Sequence, residues 1–214
     1  MLNLTTPSEI DEAVSAFCSE ISSIDPVFLA LENAKGGKLS DCFNNVANHV
    51  DSNGGCIQHG WIIWYAKEQF IEAEFHAVWA DPEGALHDIT PKKDGEKRIL
   101  FLPDESLTWN RRPVPNKRKA LCDDPLFDLM IQQGQEMDKI NRKYANENGE
   151  PRIPGDVFMA HQRKFANKAM SMMQTAGRQK NPPNLSNNRK CECGSGRKYK
   201  HCGMKGLCRK QNAK

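Results

Sequence analysis

Apolar residues near the start of the chain recur at helical spacing: Ile10, Val14, Phe17 and Ile21, then Val27, Leu29 and Leu31 after Pro26. This predicts one or two N-terminal helices across residues 7–34, with Pro26 at a start or turn. Gly36-Gly37 breaks the pattern. Ser40 and Asp41 are good N-caps, and Phe43, Val46, Ala47 and Val50 share one face. A second helix is therefore expected from near Ser40 to the turn signal Asn53-Gly54-Gly55. The period then changes. Residues 56–65 carry the run Trp61-Ile62-Ile63-Trp64, residues 70–79 alternate, and residues 85–90 and 98–102 are shorter β-rich runs. Turns are expected at residues 81–84 and 93–95. The pattern predicts a small antiparallel sheet of about four strands.

After Pro103 the chain becomes polar and proline-rich, and helical spacing returns over residues 125–144 and 155–175. The last helix sets Phe158, Phe165, Ala169 and Met172 along one stripe, with Met159, Met170 and Met173 beside it. Such a face reads as core or a helix-packing surface. Residues 180–188, with Pro182-Pro183 and Asn187-Asn188, read as a linker. The expected architecture is an α+β domain over residues 1–179, its sheet-bearing core at about 35–103 and its helical part at 124–179. A small C-terminal module follows over residues 189–214.

Composition sharpens that last boundary. The formal charge is +3, yet the segment 189–214 holds nine Lys/Arg and one acid, Glu192. The rest of the chain holds 21 basic and 26 acidic residues, so an acidic body carries a basic tail. Such a tail suits docking on nucleic acid, the ribosome, anionic lipid or an acidic protein surface. The longest apolar runs are far too short to cross a bilayer, so no membrane span is expected. The first residues lack a charged and an apolar signal region, which points to a cytoplasmic, reducing setting.

Eight cysteines are present, and four of them, Cys191, Cys193, Cys202 and Cys208, cluster near the C-terminus. Clustered cysteines in a reducing compartment read as ligands for Zn²⁺. Cys191 and Cys193 form a first pair, Cys202 supplies a third thiolate, and Gly194 and Gly196 permit the sharp reversal between them. Metal binding then supplies folding energy that so short a segment lacks. The stretch Cys-x-Cys-Gly-Ser-Gly-x-x-Tyr-Lys-x-Cys, from Cys191 to Cys202, resembles the SEC-C zinc module. That family places its fourth ligand directly after the third cysteine, where this chain has Gly203. The fourth ligand is then Cys208, His201 or absent, with Cys208 preferred. The resemblance implies a structural zinc site that docks partner proteins, and in some cases lipid or ribosome.

The larger domain carries a second constellation. Cys42 falls in the first turn of a predicted helix, where oriented N–H groups favour a thiolate. On the strand over residues 70–79, alternation sets Ile71, Ala73, Phe75, Ala77 and Trp79 on the core face. His76 then shares the more polar face with Glu72 and Glu74. A hairpin centred on Pro82 that pairs Trp79 with Ala85 brings Asp88 opposite His76, where its carboxylate accepts from Nδ1–H. Cysteine on a helix, histidine on a strand and aspartate on the next strand resembles the papain-like and transglutaminase-like superfamily. His76-Ala77-Val78-Trp79 and Asp88-Ile89-Thr90-Pro91 carry that likeness. It implies Cys42 as nucleophile, His76 as general base and Asp88 as its orienter, for acyl transfer or amide hydrolysis.

Three readings compete with it. Cys42 and His76 are satisfied structural residues of a non-catalytic adaptor. Glu72, Glu74, His76 and Asp88 ligate a second metal. The basic tail, with Arg111, Arg112, Lys117, Arg118 and Lys119, binds nucleic acid. Trp61, Trp64 and Trp79 lie in the most apolar strands and are expected in the core rather than on a base-stacking platform.

Overall fold

The computed structural model describes residues 4–32, 36–92 and 95–180, the side chains of 176–180 excepted, together with Lys190, Arg197, Lys198 and His201. The chain divides into two compact units, Met1–Ala166 and Asn167–Lys214. The described elements run α1 (Glu12–Ser19), β1 (Val27–Ala30), α2 (Cys42–Asn53), β2 (Cys56–Ala66) and β3 (Phe70–Ala80). They continue with β4 (Leu86–His87), β5 (Arg98–Pro103), β6 (Lys117–Ala120), α3 (Pro125–Lys143) and α4 (Gly155–Lys180). The fold class is α+β, with an antiparallel sheet as expected.

The sheet has six strands in the order β1-β5-β2-β3-β4, with β6 pairing β3. Two strands escaped the hydrophobic pattern. Val27–Ala30 is a strand and not part of a helix, because Val27 to Ala30 pair with Phe101 to Arg98 on β5. Four residues are too few to separate a helical from an extended period, and tertiary pairing decided the outcome. Lys117–Ala120 is Lys-Arg-Lys-Ala, which no strand pattern flags, yet it pairs with Phe70–Ala73 of β3. Of the expected strand at 85–90 only Leu86–His87 forms.

Helix starts follow local chemistry. The Asp11 carboxylate accepts from Val14 N–H at 2.9 Å and caps α1. Asp124 caps α3 through Leu126 N–H, with Pro125 in the first turn. Between α2 and β2 the chain turns through Gly54 and Gly55 with φ of 75° and 78°. A Cβ at Gly55 would lie 2.2 Å from the Ala80 carbonyl oxygen, so glycine is required there.

The strand β2 is apolar on both faces because both are covered. Trp61, Ile63 and Tyr65 join Val14, Phe17 and Cys18 of α1, with Phe75, Leu100 and Leu102, in one cluster. Ile62 joins Leu29, Val78, Ile99 and Phe101 in another. A third cluster seats α2 on the sheet through Val46, Ala77 and Ile89. Trp61 is buried, as expected, while Trp64 and Trp79 are half-buried. On α4, Phe165 is buried, but Phe158, Met159, Met170 and Met173 are exposed rather than core. Among the described residues no helix is long and apolar enough to cross a membrane.

Candidate active site

The middle of β3 is where the elements leave room for chemistry. Along one side β3 pairs with β2 for its whole length. Along the other, β6 covers Phe70–Ala73 and β4 covers Trp79–Ala80. Among the described residues, 74–78 have no strand partner on that side. His76 stands in this gap, and the start of α2 and the segment after β4 close over it.

Cys42 is the first residue of α2 and is buried. Asp41 is the N-cap, but its side chain makes no cap bond; Asn44 Nδ2 donates to it instead. Among the described residues no side chain accepts from the first N–H groups of the helix. The approach to the helix is held by Asn45, which accepts from Lys38 N–H at 2.9 Å and donates to the Lys38 carbonyl at 2.7 Å. Its amide also donates to Thr90 Oγ1 at 3.4 Å, tying the chain before Cys42 to the segment that carries Asp88.

The three residues meet. Asp88 Oδ1 lies 3.1 Å from His76 Nε2, and Cys42 lines one cavity with the same ring, whose pKa the nearby sulfur raises. The carboxylate therefore holds Nε2 and not Nδ1 as expected. The hairpin also runs in a different register: Trp79 pairs with His87 rather than with Ala85. The slip is two residues. Because strand side chains alternate with a period of two, an even slip keeps Asp88 on the face of His76, now as its diagonal neighbour.

His76 is not on a polar face. It is 4 % exposed, and its ring stands edge-on to Phe101 with centroids 6.4 Å apart. Gly60, opposite His76 on β2, makes room for that ring: a Cβ there would lie 2.6 Å from Phe101 and 2.3 Å from the Leu102 carbonyl. Asp88 is fully buried. Its Oδ1 also accepts from Thr90 N–H at 3.2 Å, its Oδ2 faces Lys92 Nζ at 3.3 Å, and its carbonyl accepts from Glu32 N–H.

Burial on its own pushes the His76 pKa down, but the Cys42 sulfur and the Asp88 carboxylate outweigh it and hold the imidazole up at about 9. Burial likewise pushes Asp88 up, and the His76 bond, Lys92 and the Thr90 N–H bring it below the ordinary carboxylate range. Cys18 shows the contrast. On the buried face of α1, where burial alone acts, its thiol is pushed up to about 12. Cys56 and Cys122 are exposed.

The remaining sequence candidates fall elsewhere. Glu72 accepts from Arg118 Nε at 2.8 Å and from Asn116, which takes it out of any set around His76. Glu74 accepts from the Trp64 indole. Among the described residues no group of three or more His, Cys, Asp or Glu is arranged to hold a metal. Arg118 is half-buried between Glu72 and Asp138, and Lys119 pairs with Glu20, so these two are not open phosphate contacts. Cys191, Cys193, Cys202 and Cys208 lie outside the described residues, and His201 is exposed.

Sequence reasoning missed Thr90, Lys92 and Asn45, which fix the carboxylate and the helix start. It also missed Trp109, which stacks on Phe43 at 4.5 Å and 13° beside the site. Only Thr90 carried a signal, since it follows Asp88 within the short stretch compared with aspartate strands. No family model, curated protein or solved structure matches this chain.

Proposed function

We propose that the protein is a cytoplasmic, cysteine-dependent acyl-transfer or amide-hydrolysing enzyme, with a zinc-bound C-terminal tail that docks it on a partner protein. One observation carries the enzymatic reading: a thiol at a helix start lines one cavity with an imidazole whose Nε2 is held at 3.1 Å by a buried carboxylate. A purely structural histidine does not need a carboxylate with no exposed surface behind it and a thiol in front.

In this reading the Cys42 sulfur attacks the substrate carbonyl carbon, and the C=O π electrons move to oxygen. The uncapped N–H groups in the first turn of α2 face that developing charge. Collapse breaks the carbonyl–nitrogen bond, and His76 passes the proton from Nδ1 to the leaving amine. The thioester on Cys42 is released by water or a second amine. His76 takes a proton from that nucleophile as the C–S bond breaks. Asp88 stays ionised and holds Nε2–H throughout. At the tail, Cys191, Cys193 and Cys202, with Cys208 as the fourth donor, form a thiolate set that suits zinc and leaves no open position for catalysis.

Alkylation by low-concentration iodoacetamide at mildly acidic pH, mapped by peptide mass, tests the enzymatic reading. Selective labelling of Cys42 over Cys18, Cys56 and Cys122, lost in His76→Ala, is expected. Slow labelling led by the exposed Cys56 and Cys122, indifferent to His76, identifies a non-catalytic adaptor instead.

A further inference from the structure

We propose that Glu74 makes this site selective for substrates carrying an ammonium or guanidinium group close to the attacked carbonyl; this rests on the acyl-transfer reading of Cys42. A cavity of about 310 Å³ opens beside Cys42 and His76, walled by Leu39, Phe43, Trp64 and Pro91. Three charged groups besides the Cys42–His76 pair bear on it. The Lys92 ammonium, 11 % exposed, is taken up by Asp88 Oδ2, and these two charges offset each other. Glu74 is different. It is exposed, lines the cavity, and has no cationic partner among the described residues.

Its carboxylate is nevertheless placed. Trp64 Nε1–H donates to Glu74 Oε2 at 2.8 Å, and Oε1 makes no hydrogen bond among the described residues. Glu74 and His76 are two residues apart on one face of β3, about 7 Å along the strand. A cation at Oε1 therefore sits within one short side chain, or one α-amino group, of a carbonyl on the Cys42 sulfur. The Trp64 ring at the same wall adds a surface that favours cations over anions.

Three haloacetamides of matched length test the assignment: iodoacetamides bearing an N-(2-aminoethyl), an N-(2-hydroxyethyl) or an N-(carboxymethyl) arm. The readout is the second-order rate of Cys42 alkylation by the full chain at low salt. The cationic probe is expected to react about three- to fivefold faster than the neutral one, with the anionic probe slowest, as for an exposed ion pair. Added salt narrows the spread. Glu74→Gln brings the ratio to about one whatever the absolute rate, whereas Glu83→Gln, the same charge change in the exposed 81–84 turn, keeps it. Equal rates for the three probes, or a ratio that survives in Glu74→Gln, overturn the assignment while His76-dependent labelling leaves the acyl-transfer reading standing. Labelling that ignores His76 overturns both.

Discussion

Replacing Asp88 with asparagine removes one charge and almost no volume, at a site with no exposed surface. The 3.1 Å bond from His76 Nε2 to a carboxylate is charge-assisted, and such bonds contribute about 1.5–3 kcal/mol. At 1.36 kcal/mol per pKa unit, its loss lowers the His76 midpoint by about one to two units, from about 9 toward roughly 7–8. Lys92 pushes the same way, since its ammonium loses the Asp88 charge at 3.3 Å and faces the ring uncompensated. Alkylation of Cys42 near neutral pH depends on the imidazolium that holds the proton beside the sulfur. A drop of one to two units shifts proton transfer from the thiol to the ring against the reactive thiolate by about ten- to a hundredfold, and alkylation slows by up to that factor. The assay pairs His76 ring-proton titration by NMR with the iodoacetamide rate, in a variant whose urea midpoint is measured alongside. An Asp88→Asn protein that is folded, titrates His76 where the wild type does, and alkylates within twofold of it refutes the role given to Asp88.

Other consequences are equally concrete. Gly60→Ala forces a methyl within 2.3 Å of the Leu102 carbonyl and 2.6 Å of the Phe101 ring; a loss of about 1–3 kcal/mol in urea unfolding is expected, with His76 reporting a disturbed ring environment. Arg118→Ala leaves Glu72 and Asp138 without their shared guanidinium and should cost about 3–5 kcal/mol, part of it recovered when both acids are made amides. Metal analysis of the purified full chain should find about one zinc per chain, lost in Cys193→Ser or Cys202→Ser; a metal-free chain with intact cysteines removes the zinc reading of the tail.

What the amino-acid pattern disclosed, and what it hid, follows from where periodicity is informative. The long elements α2, β2, β3, α3 and α4 were legible, because each spans several periods of its own repeat. Strand β1 was not: four residues after a proline fit a helix stripe as well as a strand, and only pairing with Phe101 to Arg98 settles it. Strand β6 was illegible for a different reason. Its lysines and arginine are held by partners such as Glu72, Asp138 and Glu20, which lie far away in the chain. His76 and Asp88 were paired on the right face by an argument with the wrong register, since a two-residue slip preserves parity. The burial of His76 was hidden because the Phe101 ring reaches it through a gap at Gly60 that belongs to another strand. The ring nitrogen that Asp88 holds was beyond one-dimensional reasoning, for it is set by the side-chain torsions of a buried imidazole.

Contact between the Cys42 sulfur and the His76 ring underlies the whole chemical proposal, and titration of His76 in a Cys42→Ala protein tests it without any substrate. The sulfur is the foremost group holding the imidazole up at about 9, so its removal should bring the midpoint down by at least about one unit, with Asp88 alone left to support it. An unchanged midpoint in a folded Cys42→Ala protein would mean that thiol and ring do not sense each other, and the acyl-transfer proposal would fall with it.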